Sequence, residues 1–222
     1  MGTRADADKA GRELSNCLAK HLVAGYPEPR TYVPRSFFEK RITRATIKRC
    51  LPDARDELLD FVWSSAQKLF AILLYSKCLP GDINLEFALQ TFKTRHLTDD
   101  QLPLPRYTEQ CTCVQDQALC PHKIPRETLA EWDFCGWEHF YTDQWIFLAP
   151  EFETGKFDYV LDEHSILPIR LRDGCGEGSF GDVREGELNR DHARESERVS
   201  QAVGGILIAA DSVIHSAANL VM

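Results

Sequence analysis

No apolar run in the 222-residue chain is longer than Leu69–Tyr75, well short of the roughly 20 residues that a membrane-spanning helix needs. No transmembrane segment is therefore expected. The first fourteen residues, MGTRADADKAGREL, lack the apolar core of a secretory signal, and Asp6 stands where a myristoylation motif prefers Ser or Thr. The expectation is an intracellular chain, cytoplasmic or nuclear. Disorder throughout is excluded as well, because 43% of the residues are hydrophobic, enough to bury a core. Lysine is absent after Lys156, and that absence weighs on function below.

Charge of one sign is scarce in each part of the chain. Residues 1–50 carry 11 Lys+Arg against 5 Asp+Glu, so the remainder carries 15 against 29, and the whole has a net charge of −8. The cations of the first part lie among apolar positions at helical spacing, which reads as a solvated helix face rather than a nucleic-acid surface. Neither nucleic acid nor membrane is expected as a partner.

Eight cysteines without an export signal read as reduced thiols, not as a disulfide framework. Cys111, Cys113, Cys120 and His122 form a CxCx6CxH cluster with four soft donors for zinc, and Cys135 is a nearby reserve. Paired zinc thiolates usually stand two to four residues apart. Neither half of this cluster does, and a loop that contains thiols is the better reading.

The periodicity predicts an α+β chain, mainly helical at first and followed by a few antiparallel strands. Residues 9–23 place Leu14, Cys17, Leu18 and Leu22 on one face. Ser36-Phe37-Phe38-Glu39 reads as a capping box that opens a second helix, and Thr43 restarts it. Asp53 is expected to cap one long helix over 54–77, apolar enough to be the buried centre of a bundle. Pro80-Gly81-Asp82 ends it, and a helix over 84–95 shows Leu85, Ala88, Leu89 and Phe92 on one side. The segments expected are a helical region 1–97, a loop with the cysteine cluster 98–125, an aromatic-rich packing segment 126–168, a glycine-rich hairpin 169–190 and a divergent tail 191–222. Within them Trp145–Pro150 reads as a buried strand, and Phe157, Tyr159 and Leu161 alternate as a half-buried one. The tail reads as a helix packing Val203, Ile206, Leu207, Ala210 and Ile214.

One motif carries chemistry. Gly176-Glu177-Gly178-Ser179-Phe180-Gly181-Asp182-Val183 fits GxGxxGxV and resembles the glycine-rich loop of eukaryotic protein kinases. Such a backbone must lie close over a triphosphate, and a Cβ at a glycine position would hold it off. The resemblance implies that Ser179, Phe180 and Gly181 turn amides toward phosphate, while Cys175 and Val183 cover the adenine. A dinucleotide-binding fold also uses GxGxxG, but it needs a continuously apolar strand before the first glycine and a helix after the last. Here Ile169-Arg170-Leu171-Arg172-Asp173 alternates, as an edge strand of an antiparallel sheet does.

Upstream, Gln144–Pro150, Phe157-Asp158-Tyr159 and Ile166–Ile169 extend the resemblance, over residues 30–190, to protein-kinase-like proteins of fungi with a helical N-terminal extension. For full-length relatives this implies ATP with magnesium and phosphorylation of Ser or Thr. No cofactor is secure for this chain. The strand lysine that pairs the phosphates has no counterpart after the loop, Asp133-Phe134-Cys135 precedes the loop instead of following it as DFG, and Asn189-Arg190-Asp191 lies only eight residues after Val183. The expectation is a truncated kinase fragment, inert alone. The alternative is a helical module that binds protein partners through residues 9–97 and carries a vestigial nucleotide hairpin.

Overall fold

The computed structural model describes residues 4–79, 84–105, 134–153, 159–171, 176–178, 181–194, 206–210 and 220–221. It has a mixed α+β fold, mainly helical, with short strands that are nearly all antiparallel. The chain divides into two compact units, Met1–His21 with Phe37–Phe147, and Leu22–Ser36 with Leu148–Met222. Residues 22–36, placed by their sequence inside the helical region 1–97, thus belong with the strands.

In the first unit, helix α1 (Arg4–Lys20) buries Leu14 and Leu18 against helices α3 (Arg44–Cys50) and α5 (Gln67–Ser76). Gly11 lets α1 and α5 approach, since a Cβ there would stand 3.2 Å from the Leu74 side chain. Helix α2 (Arg35–Arg41) precedes α3. Thr43 caps α3 as expected, its hydroxyl accepting the Thr46 N–H at 3.1 Å. Ser36 does not open α2. It lies inside the helix, and its hydroxyl donates to Asp191 instead.

The long helix expected over 54–77 is two helices. Helix α4 (Asp56–Ser65) and α5 meet at Ala66 with a bend of 94°. Asp53 does not cap α4; the capping position is Arg55, with no side-chain cap bond. The bend follows from a group thirty residues away in sequence. Both carboxylate oxygens of Asp99 accept first-turn amides of α5, from Lys68 at 2.9 Å and Leu69 at 3.0 Å. A new helix N-terminus can form at Ala66 because Asp99 satisfies donors that an unbroken helix would have bonded internally. Burial pushes the Asp99 carboxyl above its ordinary value, although the bonds from the Lys68 and Leu69 amides pull it down.

The expectation of a buried centre holds for α5, whose Leu69, Phe70, Ala71, Ile72 and Leu73 are buried in succession. It packs on α1, α4, helix α6 (Leu85–Thr94) and helix α7 (Phe134–Gln144). Asn84 caps α6 through a 2.7 Å bond from the Phe87 N–H. Of the aromatic segment, Trp137, Phe140, Trp145 and Phe147 are buried packing side chains, as the density suggested, while Trp132 and Phe157 lie outside the described residues. The strand expected over 145–150 is instead a 3-10 turn, Trp145–Phe147, continuing directly from α7. So short an apolar run does not distinguish a strand from a helix end. Gln144, fully buried, fixes that junction by accepting the Leu104 N–H at 2.7 Å and donating to the Leu104 carbonyl at 2.8 Å.

In the second unit, strands β1 (Val23–Ala24) and β2 (Thr31–Tyr32) form a hairpin. It is bridged to the chain at Leu167 by reciprocal backbone bonds with Tyr26, at 2.9 and 2.8 Å. Gly25 makes this approach possible, because a Cβ there would come within 2.7 Å of both the Leu167 carbonyl oxygen and Ile166. Strand β3 (Phe152–Glu153) pairs in parallel with β7 (Ala193–Arg194). A small core of Phe152, Leu167 and Ile169 lies beneath Tyr26, Tyr159, Leu161 and Leu188. Residues 159–161 are not a strand; the Tyr159 hydroxyl turns back to accept the Glu153 N–H.

The main sheet has the order β4 (Ile169–Leu171), β6 (Gly181–Leu188), β8 (Ile206–Ala210), β9 (Leu220–Val221), with β5 (Gly176–Gly178) also on β6. The tail expected to be helical therefore supplies strands. A run of Ile206-Leu207-Ile208 behind Gly204-Gly205 favours the pleat over the helix. Among the described residues no single helix is long and apolar enough to cross a membrane.

Candidate functional site

The glycine motif forms a hairpin. Gly176 pairs with Val183, Glu177 with Asp182 and Gly178 with Gly181, all antiparallel. Strand β4 lies on the same side of β6 further along, with Ile169 opposite Leu188 and Leu171 opposite Gly186. The other side of β6 pairs with β8 from Asp182 to Gly186. The last glycine therefore opens an eight-residue strand, not the helix that a dinucleotide-binding fold requires. Gly176, Gly178, Gly181 and Val183 lie on the hairpin backbone. Cys175, Ser179 and Phe180 lie outside the described residues, as do the possible zinc ligands Cys111, Cys113, Cys120 and His122. No cluster of metal-ligating side chains occurs among the described residues.

At its far end β6 runs into a second polar cluster, built on Asn189, Asp191 and His192. Asn189 caps the 3-10 turn Arg190–His192, its side-chain oxygen accepting the Asp191 N–H at 3.1 Å. Its amide nitrogen donates to the Tyr32 hydroxyl at 2.7 Å, and its backbone N–H donates to the Pro168 carbonyl at 2.8 Å. Asp191 accepts from Ser36. Arg35 donates to Glu151 at 2.7 Å.

His192 is buried at the centre of this cluster. Its Nδ1 lies 3.1 Å from the Pro150 carbonyl oxygen, and its Nε2 accepts the Arg35 backbone N–H at 3.3 Å. A carbonyl only accepts and an amide N–H only donates, so the ring is neutral with its proton on Nδ1. Burial lowers its pKa below the usual imidazole range; Pro150, Glu151 and Asp191 pull it back, and Arg35 adds to the lowering. Tyr32 meets the ring edge-on, with centroids 5.1 Å apart. Burial also raises the Tyr32 phenol; the Asn189 bond lowers it and Asp191 raises it further.

Asn189-Arg190-Asp191 is therefore a capped turn that fastens the end of a strand. The legible signal was asparagine at the start of a turn, a residue that favours such caps. Its partners, residues 32–36, are more than 150 positions away and leave no local trace.

Comparison of the chain with models of known protein families, with curated proteins and with solved structures finds no match.

Proposed function

We propose that this chain is a relative of the protein kinases that binds a nucleoside triphosphate, ATP with magnesium, through its glycine hairpin. The observation that supports this best is the pairing of Gly176–Gly178 with Gly181–Val183, which brings three glycines to one end of an antiparallel hairpin preceded by β4. Backbone without Cβ atoms can lie close over phosphate oxygens, and the amides joining the strands can donate to them. Within these 222 residues no lysine follows Lys156, so the strand cation that kinases use on the α- and β-phosphates has no counterpart. An arginine such as Arg194 would not simply replace it, because its planar fork places charge differently. Binding without phosphotransfer is the reading for these residues.

Calorimetric titration of the purified chain with Mg-ATP tests this. Micromolar binding by the wild type, lost in Gly178→Val with the fold intact by circular dichroism, is expected. No binding by the wild type overturns the nucleotide reading, and transfer of the γ-phosphate to a protein substrate overturns the inert one. A second reading, a helical module for a protein partner, is favoured by Trp63 on α4 and Phe87 on α6. These side chains remain 41% and 50% exposed on helices that pack together.

A further inference from the structure

We propose that His192 is an acid-sensitive latch: as a neutral ring it fastens the Arg190–His192 turn, at the end of β6, to residues 32–36, and a second proton on the ring releases that turn.

The geometry permits only one protonation state. Nδ1–H is committed to Pro150 and Nε2 to the Arg35 N–H. Arg35 is the first residue of α2, so its amide is one of the donors that a helix start leaves unpaired, and His192 is the acceptor that satisfies it. A proton on Nε2 would set two N–H groups against each other and place positive charge at a helix start, where the backbone dipoles oppose it. The charged groups facing the ring do not rescue that state. Arg35, from α2, opposes it. Glu151, before β3, and Asp191, on the same turn, favour it, but they already accept from the Arg35 guanidinium and the Ser36 hydroxyl. Tyr32, from β2, is neutral and packs edge-on. The ring is 3% exposed, so water cannot take the second proton's hydrogen bond without the turn moving.

The sign follows from burial. The folded ring binds its second proton only below the unfolded value of 6.5. The latch is thus fully made above pH 6.5 and weakens as pH falls from there through the lower folded value, by up to about tenfold in its closing equilibrium per pH unit. The turn ends next to Ala193 and Arg194, which form β7 against β3, so opening would also loosen that pairing. None of this depends on the nucleotide reading.

The test uses the full chain. Hydrogen exchange of the Arg35 and Asp191 amides, corrected for intrinsic rates, is followed from pH 7.5 to 5, together with the His192 ring nitrogens by NMR. In the wild type, protection is expected to fall by up to about tenfold per unit below pH 6.5, with ring protonation and loss of Arg35 protection coinciding. His192→Gln supplies a neutral donor and acceptor on one side chain, and should flatten the profile. Tyr32→Phe, which removes only the Asn189 bond, should lower protection at every pH and keep the slope. Parallel wild-type and His192→Gln profiles overturn the proposal. Should His192→Gln not fold, the wild-type ring decides: titration near 6.5 with the Arg35 amide unchanged overturns the latch.

Discussion

The break between α4 and α5 makes Asp99 the side chain whose removal is most informative. Asp99→Ala deprives the Lys68 and Leu69 amides of acceptors at 2.9 and 3.0 Å. Loss of a side-chain cap typically costs about 1 kcal/mol, and a buried donor left without a partner costs about 1–3 kcal/mol. Relief of the buried carboxylate, whose pKa burial has raised, offsets part of this. The expected net loss is about 2 kcal/mol for alanine and about half that for asparagine, which keeps one acceptor. Urea denaturation followed by tryptophan fluorescence and far-ultraviolet circular dichroism measures both. The pH profile supplies a second readout. Because the folded carboxyl titrates above its ordinary value of 3.8, the folded state holds more protons than the unfolded one in that window. The Asp99 contribution is therefore fully present below 3.8 and declines as pH rises through the folded value; Asp99→Asn should abolish this declining limb. A loss below about 0.5 kcal/mol in Asp99→Ala, within the range of an ordinary surface change, would refute the argument that this carboxylate makes the new helix start.

Two further outcomes follow from local geometry. Gly25→Ala should destabilise the second unit by about 1–3 kcal/mol, the usual cost of overpacking, because the clash at 2.7 Å is with the Leu167 backbone oxygen as well as a side chain; a denaturation midpoint equal to wild type contradicts it. Burial pushes the Cys50 and Cys78 thiols up to about 11 and about 12, so in the native protein at pH 8 an alkylating reagent followed by mass spectrometry should label the partly exposed Cys17 well before either.

Much of the helical part was legible because it depends on nearest neighbours. The Leu14 and Leu18 face of α1, the Thr43 cap of α3 and the Asn84 start of α6 are all set within a few residues of the groups they satisfy. The glycine hairpin was legible for the same reason, since the alternation before Gly176 announced an antiparallel edge and β4 pairs in that way. Two of the readings that changed depended on distant groups, whereas the 3-10 turn Trp145–Phe147 and the strand Ile206–Ala210 replaced readings of short apolar runs that fit more than one element. Periodicity over 54–77 contains no mark of the bend at Ala66, because the acceptor that stabilises it is Asp99. Ser36 looked like a cap until Asp191 took its hydroxyl.

The sequence by itself determined the α+β class, the apolar faces of α1, α5 and α6 and the three-glycine hairpin, since propensity, capping and alternation act over three or four residues. Tertiary structure alone decided where the long helix breaks, which strands residues 22–36 join and what His192 holds. Each of those outcomes rests on a partly buried backbone donor meeting an acceptor far away in the chain, and a polar group drawn away from water must find its partner wherever the fold brings one.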